Sequence, residues 1–248
     1  MNTSVKILGY FSLFFCALLL LSFQDQRSVK LTFPYKQAGL TDREAAAHLL
    51  SRFTYGARPG EIDEVLATGI EKWCAKQLEG GMADDKLNGM LKQYPDINLS
   101  NTEVENKYPR QAKILRLAIK DGFISKDSVN KGYRAAYKQQ INAFMNANGL
   151  KPQQELYRQF INQKILRAAY TENQMREVLT DFWFNHFNVS IAKGQCAAFI
   201  PAFERDVIRP NVTGKFGNLL LATAKSPAMP IYLDNFNSTA DGRADNAD

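Results

Sequence analysis

The chain is poor in the residues that build many enzyme centres. Its 248 residues include two histidines, His48 and His186, which argues against a multi-histidine zinc site. Three cysteines, Cys16, Cys74 and Cys196, contain no Cys-x-x-Cys pair and no repeating framework. Cys16 falls within an apolar N-terminal run. Cys74 and Cys196 could pair in an oxidising compartment or remain two free buried thiols. There is no Gly-x-Ser-x-Gly elbow and no phosphate-cradling glycine loop ahead of a Lys-Ser/Thr pair. Alternating apolar runs joined by a hairpin turn are also missing, which argues against a β architecture. With 45% hydrophobic and 23% charged residues, wholesale disorder is excluded.

What is present begins with a short positive N-terminus at Lys6 and an uncharged run from Ile7 to Phe23, ended by Gln24, Asp25, Gln26 and Arg27. The run is somewhat long for a signal-peptide core and somewhat short for a bilayer span. It reads first as an export signal cleaved after about residue 23. An uncleaved membrane anchor over residues 7–23 is the alternative, and a buried core helix ranks third. A lipoprotein signal is disfavoured, because Phe14 and Phe15 precede Cys16.

Beyond an extended lead-in over 24–40, with Pro34 and Gly39 as breakers, helical punctuation recurs. Thr41 and Glu44 form a capping box before Ala45–Leu50. Gly69 ends a helix carrying Ile62, Val65 and Leu66, and another over 70–78 stops at Gly80-Gly81. Thr102 with Glu105 predicts a helix reaching Lys120, Ser125 one reaching Asn148, and Pro152 one running to Tyr170. Thr171 with Gln174 opens the next, and helix is expected again over 197–209 and 214–224. The fold class is all-α or nearly so, a multi-helix bundle over 41–235 with a polar tail at 236–248.

The net charge of +6 is concentrated. From Lys107 to Lys138 nine basic residues face two acids, Asp121 and Asp127, so this segment alone is +7 and the remainder is −1. A local basic face can dock on anionic lipid headgroups, acidic polysaccharide or nucleic acid, or it can simply be a solvated helix surface. Export makes nucleic acid the weakest of these partners. Lys113, Arg116 and Lys120 are the candidate partner-binding residues.

Three stretches carry a family resemblance: HLLSRFTYGARPGEIDEVLATGIEKWCAKQLE (48–79), ILRAAYTENQMREVLTDFWFNHFNVSIAKG (165–194) and FERDVIRPNVTGKFGNLLLATAKSPAMPIYLDN (203–235). Together they resemble the bacterial family called domain of unknown function 1800. The resemblance implies an exported helical protein of undetermined biochemistry. Its members are often encoded beside proteins resembling sulfatases or phosphatases, which implies a partner of that kind. Family members typically continue past the YLDN segment into further helices, so residues 236–248 are expected to mark a truncation point within a longer domain.

The helix expected over 172–189 is the richest in chemistry. On a wheel of about 100° per residue, Gln174, Glu177, Asp181, Asn185 and Asn188 share one narrow stripe, and most of the rest is apolar. Carboxylates and amides so spaced could hold a divalent cation or a sugar's hydroxyls, or form a narrow hydrogen-bonded face. Glu177 and Asp181 are thus candidate metal ligands; these two with Asn185 and His186 are candidate catalytic residues. His186 falls on the apolar side beside Leu179, Phe182 and Trp183, where a satisfied core imidazole is expected and a general base or ligand is the alternative. Arg176 is expected among aromatics near Trp183 and Phe187, stacked there or paired with Asp206. No cofactor is indicated. Two readings follow: an envelope interaction or scaffold protein using its basic face, or the N-terminal half of an extracytoplasmic hydrolase acting on polysaccharide or its sulfate or phosphate esters.

Overall fold

The computed structural model describes residues 31–130, 134–194, 196–235 and 238, so the expected export signal and polar tail lie outside the described residues. Thr41 caps the first helix, α1 (Asp42–Phe53), through the expected reciprocal box with Glu44. Its apolar face, Ala45, Ala46, Leu49 and Leu50, meets Val65 of α2 (Glu61–Thr68) and Ile70 and Cys74 of α3 (Ile70–Glu79). Gly69 joins α2 to α3 at φ 93°, a turn that a side chain would strain. Between the expected breakers Pro34 and Gly39 the lead-in forms a hydrogen-bonded turn, and Leu31, Phe33 and Tyr35 pack on this core.

Helix α4 (Asp85–Leu91) and a 3-10 turn (Pro95–Asn98) follow, neither of which the sequence pattern signalled. The expected helix from Thr102 to Lys120 is two. Ser100, with Glu103, caps α5 (Asn101–Lys107), and α6 spans Gln111–Lys120. Pro109 explains the break, since proline disfavours helical geometry in the residue before it, and Tyr108 leaves the helix there at ψ 51°. Within the helix expected from Ser125 to Asn148, the described residues form α7 (Lys126–Asn130) and α8 (Arg134–Ala147). Helices α6 to α8 pack around their own small core of Ile114, Ala118, Ile124, Ile141 and Phe144.

Two longer helices organise the rest. Helix α9 (Gln153–Tyr170) starts after Pro152, and α10 (Gln174–His186) follows a tight turn. Asp84, rather than a Thr171–Gln174 box, holds that turn: it accepts from the Thr171 hydroxyl, the Glu172 N–H and the Asn173 amide. Residues 197–209, expected as helix, form short 3-10 and α turns around a π-helical turn at Phe203–Ile208, and a further 3-10 turn spans Arg209–Asn211. Pro201 and Pro210 flank that π turn and lack the N–H a regular ladder needs. Helices α11 (Phe216–Lys225) and α12 (Ala228–Tyr232) close the described chain.

The largest core joins α9, α10, this irregular segment, α11 and α12 through Phe160, Cys196, Ile200, Phe203, Ile208 and Leu219. Burying each such aliphatic or aromatic side chain contributes about 1.5–3 kcal/mol before entropy is counted. Met175 of α10 belongs to the first core, Phe184 packs on the largest, and Leu179 touches both, so α10 is the spine between them. Among the described residues there is no strand, and no helix is long and apolar enough to cross a membrane. Cys74 and Cys196 are both free and buried, in different cores, so they do not form the disulfide that export would permit.

Candidate functional sites

Two places gather polar chemistry. The first is interior. Glu177 and Asp181, one turn apart on α10, face Lys164 and Arg167 of α9 and meet Glu204 of the π turn and Arg209 just beyond it. The Lys164 ammonium bridges Asp181 and Glu204. Arg209 grips Glu177 with two nitrogens, at 3.0 and 2.9 Å, and reaches Glu204 at 2.8 Å. Arg167 lies 3.7 Å from Glu177 and donates to Gln163 at 2.7 Å. Tyr55, from the loop after α1, donates its hydroxyl to Asp181.

Three cations therefore neutralise three carboxylates, and Glu204 is only 1% exposed. Burial opposes the charge on Lys164, but Glu204 and Asp181 outweigh it and hold its ammonium above the usual lysine range. Burial pushes the Glu177 carboxyl up, against the downward pull of Arg209 and Arg167. The Tyr55 phenol is raised by burial and by its bond to Asp181. Every group is thus committed to a partner. Such a network fixes the relative positions of α9, α10 and the π turn more than it offers a free base or nucleophile. Among the described residues no group of three or more His, Cys, Asp or Glu is placed to hold a metal ion.

The predicted stripe on α10 consequently divides along its length. Gln174 and Glu177 are buried, Asp181 is half-buried, and Asn185 and Asn188 are exposed. His186 is corrected more sharply: it is exposed rather than a core residue. Its ring stacks on Phe182 at 6.1 Å and meets Trp183 edge-on at 5.4 Å, with no hydrogen bond to Glu177 or Asp181. The helical wheel placed it on the apolar side correctly, but Phe182 on that side is itself 57% exposed. Arg176 neither stacks on Trp183 nor pairs with Asp206. Its guanidinium lies against Gly80, and Asp206 pairs with Arg205. Sequence reasoning missed Lys164, Arg167, Glu204 and Arg209; the acidic and basic residues flanking Asp206 in the quoted FERDVIRP segment were the one available signal.

The second place is a groove on α6. Lys113, Arg116 and Lys120 recur at i, i+3 and i+7, within about 60° of arc. All three are exposed, and none forms an ion pair among the described residues. They line a cavity of 520 Å³ together with Glu105, Tyr108, Arg110 and Gln153. The other side of α6, Ile114 and Ala118, is buried in the small core, so the cations have no route inward. Like charges at such spacings cost a helix about 0.2–0.5 kcal/mol per pair, a cost that a bound anion would remove.

This is an all-helical protein with a cationic groove and a neutralised ionic interior. The family model described as Protein of unknown function (DUF1800) matches residues 48–246, and the chain belongs to that family. No curated protein and no solved structure matches the chain.

Proposed function

We propose that this chain is an exported binding domain of the cell envelope that docks an anionic envelope component in the α6 groove. One observation carries the reading: three exposed cations, unpaired among the described residues, line one cavity on one helix face. The buried carboxylates are paired, as Asp96 is with Lys107, Tyr108 and Gln159, whereas these three exposed cations are gathered at one cavity. Leaving Lys113, Arg116 and Lys120 without carboxylates is the arrangement that an external anion would complete. The hydrolase reading would need a free carboxylate or imidazole pair, and Glu177, Asp181 and Glu204 are all held by cations.

The test is binding of the full chain to an anionic polymer, poly-glutamate, and to isolated envelope material, with the Lys113→Gln/Arg116→Gln/Lys120→Gln variant alongside. Exposed pairs of this kind give roughly three- to a hundredfold in affinity for three charges together, and raised salt should screen the effect. Unchanged binding by the triple variant would overturn the proposal.

A further inference from the structure

Five rings form one run at the surface where α10 ends and α11 begins. Trp183 is its centre: Phe182 meets it edge-on at 5.0 Å, Phe187 stacks on it at 5.6 Å, and Phe216 of α11 lies 5.6 Å away. His186 closes the run, 5.4 Å from Trp183. Trp183 and Phe187 are half-buried against the largest core, but Phe182 and Phe216 are more than half exposed. Leu220 and Leu221 extend this surface along α11, each about half exposed. At about 100° per residue, Phe216, Gly217, Leu220, Leu221 and Ala224 fill about 140° of α11 without a polar side chain. Leu219 and Thr223 form the buried side of that helix, which packs on the π turn and α12. A contiguous apolar patch in the open, unlike scattered single residues, marks an interaction site.

The charges around the patch are of one sign. Lys215 precedes Phe216 at the start of α11 and Lys225 ends the helix; both are exposed, and neither forms an ion pair among the described residues. No Asp or Glu occurs from Phe182 to Phe203 or from Val207 to Leu233. The acids bordering these segments are already taken: Asp181 and Glu204 by Lys164, Asp206 by Arg205 and Asp234 by Lys193. We infer that this face seats on an anionic membrane surface, its rings and leucines at the hydrocarbon boundary and Lys215 and Lys225 on lipid phosphates. Apolar side chains flanked by lysines whose stems reach back to the headgroups are the arrangement of an interfacial helix. Trp183 suits the same boundary, because an indole has an apolar body and one polar N–H. Charge selects a bilayer over a second copy of the chain. In a two-fold dimer the patch would meet itself, and it holds no acid to set against Lys215 and Lys225. None of these residues lines the α6 groove, so the inference stands apart from the anion-docking reading.

The experiment mixes the full chain with vesicles of phosphatidylcholine alone, or of equal parts phosphatidylcholine and phosphatidylglycerol, with the phosphatidylcholine brominated on its acyl chain to quench tryptophan on contact. The readout is Trp183, which the apolar run over 7–23 cannot mimic because it holds no tryptophan. Trp73 is the one other tryptophan, and Trp183→Phe separates the two signals. The anionic vesicles should quench a signal that Trp183→Phe removes, and the neutral ones should quench it less. Lys215→Gln/Lys225→Gln should lower the equilibrium for quenching about thirtyfold. Leu220→Gln/Leu221→Gln, at exposed positions that leave the core intact, should lower it about tenfold or more. Lys113→Gln/Arg116→Gln/Lys120→Gln should leave Trp183 quenched. Trp183 that stays unquenched, or quenching indifferent to the leucine variant, overturns the inference. Equal quenching by neutral and anionic vesicles does the same, as does quenching abolished by the α6 variant, which would move the membrane contact to α6. A dimer in sedimentation velocity that the leucine variant dissociates also overturns it and assigns the face to a second copy.

Discussion

Replacing Lys164 by methionine keeps most of the alkyl stem and deletes the ammonium that joins α10 to the π turn. The magnitude follows from the two arms of the bridge. Asp181 is 33% exposed, so its arm is partly screened and contributes no more than about 1 kcal/mol. Glu204 is 1% exposed, and breaking a buried pair by removing one partner typically costs about 3–5 kcal/mol. Arg209 at 2.8 Å and Gln163 at 3.3 Å remain on Glu204, which places the total near the lower figure, about 3 kcal/mol. For a chain of this size that corresponds to a fall in Tm of roughly 6–12 °C. Urea unfolding of the full chain measures it. Lys164→Met combined with Glu204→Gln should recover part of the loss, because no uncompensated carboxylate is then buried. A loss below about 1 kcal/mol, or strictly additive single variants, would refute the view that the ionic interior is a coupled structural element.

Two further outcomes test other parts of the fold. Burial works to raise the Asp96 carboxyl, but Lys107 and Tyr108 hold it below its ordinary value of 3.8. A depressed carboxylate contributes stability that is complete above the unfolded value and lost as pH falls through the folded one. Acidification below about pH 3.8 should therefore destabilise the parent chain more steeply than Asp96→Asn, as urea midpoints across that range would read; equal slopes would contradict it. Gly80 closes α3 at φ 65° and ψ −159°, a region that side chains scarcely enter, and a Cβ there would lie 2.7 Å from the Arg176 guanidinium. Gly80→Ala should cost about 1–3 kcal/mol in thermal unfolding, and a change within about 0.5 kcal/mol would remove strain from the account of that turn.

Local signals were read well where the physics is local. The Thr41–Glu44 box is present, Gly69 and Gly80 end their helices, and Pro152 precedes α9. Apolar periodicity on both sides of Pro109 masked the break there, although proline's effect on Tyr108 is itself a nearest-neighbour rule. The Glu177–Asp181 spacing was legible as a stripe, but its meaning was not. Arg209 lies 32 residues from Glu177 and Lys164 lies 17 from Asp181, separations over which no helical rule operates. His186 shows the same limit from the opposite direction. A wheel gives the angle at which a side chain leaves its helix, not whether another element covers that angle.

The sequence by itself determined that the chain is all-helical, that it belongs to its family, and that Lys113, Arg116 and Lys120 share one face, because capping, periodicity and i, i+3, i+7 spacing act within a few turns of chain. Only the tertiary structure decided that the carboxylates of α10 are neutralised and that the cations of α6 are not. Those outcomes depend on which distant side chain arrives within about 4 Å, and the topology of the packed helices sets that distance, not spacing along the chain.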